Sequence, residues 1–408
     1  MKVLHILPQS LPLFHSNPWD GWHARIAREL LNITDEHTME CWHVERTLRE
    51  TWSKTEDGID FKLFPSTFIP GIGLERSSPL VRELRERLKC GGNLLVHVHG
   101  AFWSLTHDIA RCCTDVPLVV SIYLNRFPWF SEVSMGMRTG NALGAARSLA
   151  MRPIEDWSER RSFSNVDRLI VLNSLLKSYY AGVVGPDRVE VIPLGIHFER
   201  FQPMDMMEAR KRLGLERNRR YVLYVGAMVK WKGLEFLLRA LPEVLRHYPE
   251  TMLLLGGDGY SRPGLEKLAV REGIAEQTRF LGYMDNRSLP LWYNAADVCV
   301  LPSWNEALGV VAIEALACDR PYIGTNVGGI PDILRSFDSG IVIPPRDSSA
   351  ISQAIVRALA HPESFMVDRA SGQKHYRWEN ISRDILRVYD KVSLHYADSW
   401  GKPRRRNS

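Results

Sequence analysis

Two glutamates stand eight positions apart in the stretch PSWNEALGVVAIEALACDRPYIGTNVGGIPDIL, which runs from Pro302 to Leu334. If one helix carried both, Glu306 and Glu314 would lie about 12 Å apart along its axis. Two carboxylates at that distance cannot share a proton, so an acid–base pair is disfavoured. The spacing favours contacts with the two ends of an elongated polar ligand, with helix-start amides between them that are free to bind an anion.

The residues around the glutamates predict the elements that position them. Asn305 to Leu308 reads as a loop, and Gly309 to Cys318 is apolar and free of proline, which favours a buried helix. Asp297 to Leu301 (DVCVL) reads as the strand that leads into this loop. Pro321 ends the helix, and YIGT reads as the next short strand, followed by a glycine turn into another helix.

A lysine in the same half of the chain lies where a phosphate could bind. Lys232 follows a predicted buried strand, Tyr221 to Gly226, and precedes a predicted helix, Leu234 to His247. An ammonium group between such a strand and helix can reach a bound phosphate. The P-loop pattern G-x4-G-K-[ST] is absent, so this is not a P-loop. A plain surface lysine is the alternative interpretation.

The first half opens with a similar unit. The apolar run Lys2 to Leu7 predicts a strand, Gln9 to Gly21 a loop, and Trp22 to Leu31 a helix whose start could contact a phosphate. In one interpretation Gly21 and its neighbours close over the phosphates of a bound ligand or over a second substrate. In the other, this segment is an ordinary turn between a strand and a helix.

The strand LLVHVHG carries two histidines, His97 and His99, on the same face. This H-x-H spacing invites a metal interpretation, but the sequence shows no obvious third ligand nearby. His107 follows eight residues later and could join only through the folding of the chain. We therefore expect packed or cleft-facing histidines and no metal site.

Apolar strands alternate with helices in both halves. This alternation predicts an α/β protein with two doubly wound, Rossmann-like domains that face each other across a cleft. We expect one domain over residues 1–198 and a second over residues 204–375, joined by a linker within Gly195–Pro203. A helix over residues 376–396 and a basic tail over 397–408 complete the chain.

The segment NEALGVVAIEALACDRP, followed by VGGIPDIL, resembles the E-x7-E region of the retaining glycosyltransferases of family 4, which have the GT-B fold. The resemblance implies that Glu306 contacts the transferred sugar of a nucleotide-sugar donor and that Glu314 holds the ribose hydroxyls. It also implies that the backbone amides around Leu308, Gly309 and Val310 contact the diphosphate.

The segment GAMVKWKG is similar to the G-R-x4-K-G loop of the same family. Gly226 and Lys232 match that pattern and are implied to bind the donor diphosphate, whereas Ala227 stands where relatives carry an arginine. After the predicted strand RFLG, the backbone at Tyr283 and Met284 is implied to contact the nucleobase.

The resemblance also implies that residues 1–198 form the acceptor-side domain, that residues 204–375 form the donor domain, and that Gly21 can contact the donor phosphates or the acceptor. His99 matches the strand end that lies beside the acceptor cleft in this family. Tyr123 stands where many relatives carry a histidine near the donor sugar, and Asp319 stands where they usually have glycine. A tyrosine still donates a hydrogen bond but is a poor cation at neutral pH. The segment Trp378 to Tyr396 resembles the family's C-terminal helix, which crosses back to the first domain.

Composition limits the function classes. The 408 residues carry a net charge of +5 with no nucleic-acid-binding signature, so a nucleic-acid partner is not expected. Six cysteines without C-x-x-C spacing, and the lack of a signal peptide or a long apolar span, favour a cytoplasmic protein. The aromatic and basic stretch Arg126–Arg161 allows peripheral association with the inner membrane face. Its interleaved acidic residues favour a solvated helix face.

The family resemblance, with which these features agree, implies a retaining hexosyltransferase that uses a UDP- or GDP-sugar. The acceptor would be a hydroxyl of a glycan, a lipid-linked molecule or a small molecule. No D-x-D occurs, so neither a metal clamp on the diphosphate nor another cofactor is expected. A glycoside hydrolase would need a second carboxylate close to Glu306, and none can be placed. A phosphorylase or epimerase of the same fold and a non-catalytic binding protein remain as alternatives.

Overall fold

The computed structural model of this protein describes residues 1–8, 22–69, 74–100, 103–123 and 160–396. The chain forms two compact units. The first comprises Met1–Ile192 together with Ile381–Ser408, and the second comprises Pro193–Asn380. The first unit is therefore assembled from two separate stretches of chain. The boundaries expected at residues 198 and 375 differ from this division by a few residues.

The strands of the first unit are β1 (Lys2–Leu7), β2 (Thr38–Glu45), β3 (Trp52–Glu56), β4 (Ile59–Pro65), β5 (Thr67–Ile69), β6 (Leu74–Arg76), β7 (Leu94–His99), β8 (Leu118–Ile122), β9 (Arg168–Val171) and β10 (Val189–Val191). Eight of them form one sheet in the order β10-β9-β8-β7-β1-β2-β4-β3. Its neighbours pair in parallel, apart from β3, which runs antiparallel to β4. β5 and β6 form a separate antiparallel ribbon.

Helices accompany this sheet in the first unit: α1 (Trp22–Leu31), α2 (Ser78–Lys89), α3 (Trp103–Cys112) and α4 (Ser174–Val184). β7 is buried along its whole length, and β1 is buried from Val3 onward. Such continuous burial is typical of central strands in parallel sheets, which are covered on both faces.

The strands of the second unit are β11 (Arg220–Val225), β12 (Thr251–Gly256), β13 (Thr278–Gly282), β14 (Val298–Leu301), β15 (Tyr322–Thr325) and β16 (Ile341–Ile343). They form a parallel sheet in the order β13-β12-β11-β14-β15-β16. This is the strand order 3-2-1-4-5-6 of dinucleotide-binding folds.

The helices of the second unit are α5 (Met206–Leu213), α6 (Leu234–His247), α7 (Arg262–Arg271), α8 (Leu289–Ala295), α9 (Val310–Ala317), α10 (Ile330–Ser336), α11 (Ser348–Ala360) and α12 (Arg369–Tyr376). A last helix, α13, spans Trp378–Leu394. From Ile381 onward its residues belong to the first unit, as the family resemblance implies for the C-terminal helix. Within the described part of the chain, no helix combines the length and the apolar character needed to cross a bilayer.

The predicted α/β class with two parallel-sheet halves is confirmed. Lys2–Leu7, Leu94–His99, Leu234–His247 and Tyr322–Thr325 form the predicted elements at the predicted bounds. The predicted helix at Gly309–Cys318 is slightly shorter, since α9 runs from Val310 to Ala317.

The structure adds the β3–β4 hairpin, which the sequence analysis did not predict. Its turn contains Asp57 and Gly58, both with positive φ (52° and 75°). Asp-Gly is the strongest short hairpin signal, because both turn positions need left-handed backbone angles. β3 itself is mostly exposed and polar, so it lacks the apolar run that marked the other strands.

Candidate functional site

The candidate site of the second unit lies at the point where its strand order reverses, between the neighbours β11 and β14. Sheets of this type bind ligands beyond the carboxyl ends of their strands at such a point. Lys232 follows β11 and Glu306 follows β14. The topology therefore brings these two predicted site residues to one edge of the sheet.

Lys232 and Glu306 form an ion pair, with 2.5 Å between the lysine Nζ and the glutamate Oε2. Both side chains are largely buried, with 18% and 13% of their surface exposed. Ser303 Oγ donates a second, longer hydrogen bond of 3.4 Å to the same carboxylate oxygen. The predicted phosphate contact and the predicted sugar contact are thus direct partners.

The loops that carry this ion pair are fastened to each other. The backbone N–H of Trp304 donates to the carbonyl of Trp231 (2.9 Å), and the Trp304 indole N–H donates to the carbonyl of Lys230 (3.0 Å). Gly233 has φ +69°, and a Cβ there would lie 2.1 Å from the carbonyl oxygen of Pro302. This approach requires glycine, so the lysine loop and the glutamate loop form one packed unit.

The start of α9 supplies backbone amides beside Glu306. Gly309 is the N-cap residue just before α9, with φ +87°, and Leu308 before it is buried. The first amides of a helix have no intrahelical acceptor and point toward the helix start, where an anion is favoured. Gly329 supports this turn from the other side, since its N–H donates to the carbonyl of Ala307 (3.1 Å).

Glu314 lies on α9, one turn beyond its first residue. Tyr293 on α8 donates its hydroxyl hydrogen to Glu314 Oε2 at 2.7 Å. Burial, and then the charge of Glu314, raise the pKa of Tyr293, so this phenol stays a donor. Because Glu306 precedes α9, the separation of about 12 Å expected for one continuous helix does not apply to this pair.

A buried tyrosine supports the loop after β11. The Tyr224 hydroxyl donates to the carbonyl of Ala227 (2.8 Å), and a Cβ on Gly226 would lie 2.9 Å from the same hydroxyl oxygen. Burial, and then the charge of Glu306, raise the pKa of Tyr224. At Ala227 the loop thus offers a carbonyl held by Tyr224 and no side-chain cation.

The sequence analysis missed one cation beside the loop after β14, which carries Trp304 and Glu306. The Arg346 guanidinium lies 4.2 Å from the centre of a Trp304 ring, in cation–π geometry. Arg346 follows β16, the edge strand of this sheet, and only β15 lies between β16 and β14. Its proximity to the site depends on strand order, so no local sequence motif could have indicated it.

Met284, the predicted nucleobase contact, follows β13 at the same end of the sheet. Its sulfur packs over the backbone of Gly256, where a Cβ would lie 1.9 Å from it. The N–H of Gly257 donates to the carbonyl of Gly282 (2.7 Å), which fastens this segment to the end of β12. The neighbouring Tyr283 is 85% exposed.

In the first unit, the two predicted acceptor-side residues contact each other. His99 Nδ1 and the Tyr123 hydroxyl are 2.7 Å apart, and their rings are nearly parallel. His99 is fully buried, whereas Tyr123 is half-buried. Gly21, predicted to close over a ligand, lies outside the described residues. The aromatic and basic segment that begins at Arg126 also lies outside them, up to position 159.

The expectation that His97 and His99 lack a third metal-ligand candidate nearby is wrong. His5 on β1 joins them, and one ligand atom from each residue lies within 4.8 Å of the others. β1 and β7 are neighbours, and His5 stands directly opposite His97. The histidine in KVLHIL was visible in the sequence, but its position depends on which strands are adjacent.

Two family profiles match most of the chain between them. The profile described as "Glycosyl transferases group 1" matches residues 205–374. The profile described as "Glycosyl transferase 4-like domain" matches residues 37–195. The first covers the candidate-site residues of the second unit named above, and the second covers His97, His99 and Tyr123.

Curated relatives include a D-inositol 3-phosphate glycosyltransferase from Frankia alni. It is 35% identical over 219 residues, which is 50% of this chain and 53% of the relative. A protein of the same name from Rhodococcus jostii is 28% identical over 365 residues, 83% of this chain and 74% of the relative. The chain spans about half the length of the first of these relatives.

Solved structures agree over nearly the whole chain. Sucrose-phosphate synthase from Thermosynechococcus elongatus matches with a TM-score of 0.74 and 22% identity, covering 97% of this chain and 100% of that one. Anabaena HepE in complex with UDP matches with a TM-score of 0.72 and 16% identity, covering 96% and 100%. At these identities the similarity shows the fold.

Proposed function

The chain belongs to the group 1 glycosyl transferases of family 4, which have the GT-B fold, and on this basis we propose that it transfers a sugar from a nucleotide-diphosphate sugar to an acceptor hydroxyl with retention of configuration. The resemblance seen in the sequence is thereby confirmed as a family membership. The observation that carries the proposed activity is the Lys232–Glu306 ion pair at the strand-order switch point.

Donor binding would divide this ion pair between two parts of one ligand. The diphosphate would attract the Lys232 ammonium and the amides at the start of α9, while the Glu306 carboxylate would accept hydrogen bonds from sugar hydroxyls. Glu314, already held by Tyr293, would accept from the ribose hydroxyls. Because the loops are fastened together, these groups need little reorganisation before the reaction.

Bond cleavage leaves negative charge on the departing diphosphate. The Lys232 charge and the helix-start amides stabilise that charge where it develops, which is the main electrostatic requirement of this reaction. The departing phosphate oxygen can take the acceptor proton on the same face of the sugar, so the configuration is retained without a protein nucleophile. Glu306 then orients the sugar.

We expect the donor chemistry to need no metal ion, because the chain lacks a D-x-D motif and offers Lys232 and backbone amides for the diphosphate. A UDP-sugar is the first donor to test, since UDP is bound in the structurally similar HepE. Screening UDP-, GDP- and ADP-sugars with and without a chelator would test both expectations. Loss of turnover with chelator would contradict metal-independent transfer.

The decisive experiment measures nucleotide-sugar consumption by Lys232→Ala and Glu306→Ala. We expect a loss of about 100-fold or more in each, comparable to removing one transition-state donor. Lys267→Ala and Glu276→Ala alter exposed residues of the same unit and serve as controls. Unchanged turnover in both site variants would overturn the assignment.

Binding and product analysis separate the alternatives. A non-catalytic relative would show no turnover of any donor, and calorimetry would then report whether nucleotide sugars still bind. A phosphorylase or epimerase would change the donor without an added acceptor hydroxyl. The anomeric configuration of the product, read by NMR, tests retention directly.

A further inference from the structure

Three buried histidines in the first unit, one of them the predicted acceptor-side residue His99, take part in no step of the sugar transfer described above. We propose that His5, His97 and His99 bind a transition-metal ion of the Zn²⁺ type through their imidazole nitrogens. One nitrogen from each residue lies within 4.8 Å of the others. The three residues all belong to the first unit, so the proposal does not rest on the donor site of the second.

The sheet itself assembles this ligand set. His5 on β1 is the register partner of His97 on β7, and neighbouring residues in register share a face of the sheet. His99 stands two positions beyond His97 and therefore shares that face. The fold thus brings three imidazoles together where the strand order of the first sheet reverses, between β1 and β7. All three are carried by strands and none by a loop.

The distances fit a zinc site after small ring rotations. His5 Nδ1 and His99 Nε2 are 2.9 Å apart and share a hydrogen bond. Zinc–nitrogen bonds of about 2.0–2.1 Å place the ligand nitrogens of a tetrahedral site about 3.4 Å apart. An ion between these two nitrogens would replace the proton that joins them now.

All three imidazoles are fully buried, so the candidate site lies inside the first unit.

Hydroxyl groups orient two of the rings. The Tyr389 hydroxyl lies 2.6 Å from His97 Nδ1, and the Tyr123 hydroxyl lies 2.7 Å from His99 Nδ1. Hydrogen bonds at the second ring nitrogen are the usual support of metal-bound histidines. On His99 they leave Nε2 to contact His5, whereas His97 Nε2 now contacts Ser121 Oγ (2.7 Å). Metal binding would replace the Ser121 contact.

Hydrogen bonds alone do not satisfy the cluster. The fully buried Nε2 of His5 has no hydrogen-bond partner among the described residues. A buried polar atom without a partner is unfavourable. Rotation of the His5 ring can offer this nitrogen to an ion, so either nitrogen of His5 is available as a ligand.

The chemistry of the ligands selects the type of metal. Imidazole binds zinc, copper, nickel and iron, whereas calcium and magnesium require oxygen ligands. The set contains no carboxylate. Zn²⁺ is therefore the first probe, and Co²⁺ is its spectroscopic substitute.

The test uses the purified full-length chain, stripped with a chelator, reloaded with Zn²⁺ and desalted. We expect one zinc per chain by mass spectrometry, and Co²⁺ should give the absorption bands of a tetrahedral site. His5→Gln and His97→Gln should lose this metal. His247→Gln and His361→Gln alter exposed histidines elsewhere and should retain it.

Two results would overturn the proposal: a folded wild-type chain that retains no zinc, or equal zinc retention in the His5→Gln and His97→Gln variants. If circular dichroism shows that these variants do not fold, X-ray absorption of the zinc-loaded wild type decides. Three imidazole ligands support the site, and fewer than three exclude it. Donor turnover is measured separately, so failure of this proposal and failure of the proposed transferase activity give different results.

Discussion

The Nζ of Lys232 lies 2.5 Å from Oε2 of Glu306, and this contact joins the loop after β11 to the loop after β14. The two residues are separated by 74 positions in the chain. Each side chain neutralises the charge of the other, so neither charge is fully available to a ligand while the ion pair is intact. In the proposed reaction, a diphosphate that approaches Lys232 would compete with Glu306, so donor binding would depend on the state of this ion pair.

Replacing Glu306 by glutamine should affect nucleotide binding and sugar transfer in opposite directions. Glu306→Gln removes the charge that competes for Lys232, so we expect the Kd for UDP to fall about 3- to 10-fold, equivalent to roughly 1 kcal/mol. Transfer should fall about 100-fold because the sugar loses its carboxylate contact. Calorimetry and donor turnover measure the two effects. Glu276→Gln is the control, and weaker UDP binding by a folded Glu306→Gln variant would contradict the competition.

The close packing of the two loops can be tested at Gly233. Gly233 and Gly273 have nearly equal backbone angles, φ +69° and +71°. A Cβ at Gly233 would meet the carbonyl of Pro302, whereas a Cβ at Gly273 would meet nothing within 4 Å. Both alanine variants carry the left-handed strain of about 1–2 kcal/mol, and only Gly233→Ala adds the clash.

We therefore expect Gly233→Ala to lower the free energy of unfolding by about 3 kcal/mol or more, and Gly273→Ala by about 1 kcal/mol. Urea denaturation measures both values. Equal destabilisation by the two variants would mean that the lysine and glutamate loops do not pack as described. Gly233→Ala should also weaken UDP binding, because it displaces the neighbouring Lys232.

The hydrogen bond from Tyr293 to Glu314 predicts an effect on donor affinity. Tyr293→Phe removes the donor that orients this carboxylate but keeps the ring. A hydrogen bond of this kind contributes about 0.5–1.5 kcal/mol, so KM for the nucleotide sugar should rise about 2- to 12-fold with kcat nearly constant. Steady-state kinetics decide. Tyr248→Phe, at the C-cap tyrosine of α6, which keeps its ring contact with Arg220, provides the matched control, and a fall in kcat alone would argue against a ribose contact.

The second unit contains a buried ion pair, and we expect this pair to contribute strongly to the free energy of unfolding. Arg210 is buried, and its guanidinium donates to Asp297 Oδ2 (2.6 Å) and to the carbonyl of Ala295 (3.0 Å). Removing one partner of a buried ion pair costs about 3–5 kcal/mol. Thermal or urea unfolding of Arg210→Ala should show a loss of this size.

Arg212→Ala is the comparison for Arg210→Ala. Arg212 forms an exposed pair with Glu208 on the same helix. Exposed pairs contribute about 0–1 kcal/mol, so this variant should unfold nearly like the wild type. Equal losses in the two variants would show that burial does not determine the contribution of Arg210.

Local patterns predicted those parts of the fold that bury continuous apolar runs. β7 and β11 are of this kind, and their predicted bounds agree with the structure to within one residue. β3 was missed because its residues are polar and exposed, so that only the Asp57–Gly58 turn marks it. Edge strands carry a weaker hydrophobic signal than central strands.

The residues of the candidate site were predictable from local motifs, but their contacts were not. Lys232 and Glu306 each follow a recognisable strand, yet their ion pair depends on β11 and β14 being neighbours. Arg346 and His5 were missed for the same reason, since strand order and register bring each to its partners. Such non-local pairing is not encoded in a short segment.

The hydrogen bond between His97 and Tyr389 joins residues that are 292 positions apart within the first unit. A ribosome that adds about 5 to 20 residues per second needs roughly 15 to 60 s to synthesise that interval. During this time the β7 histidines have no α13 to pack against. The first unit can therefore fold completely only after α13 has left the ribosome. Until then its N-terminal sheet lacks the contacts that α13 provides.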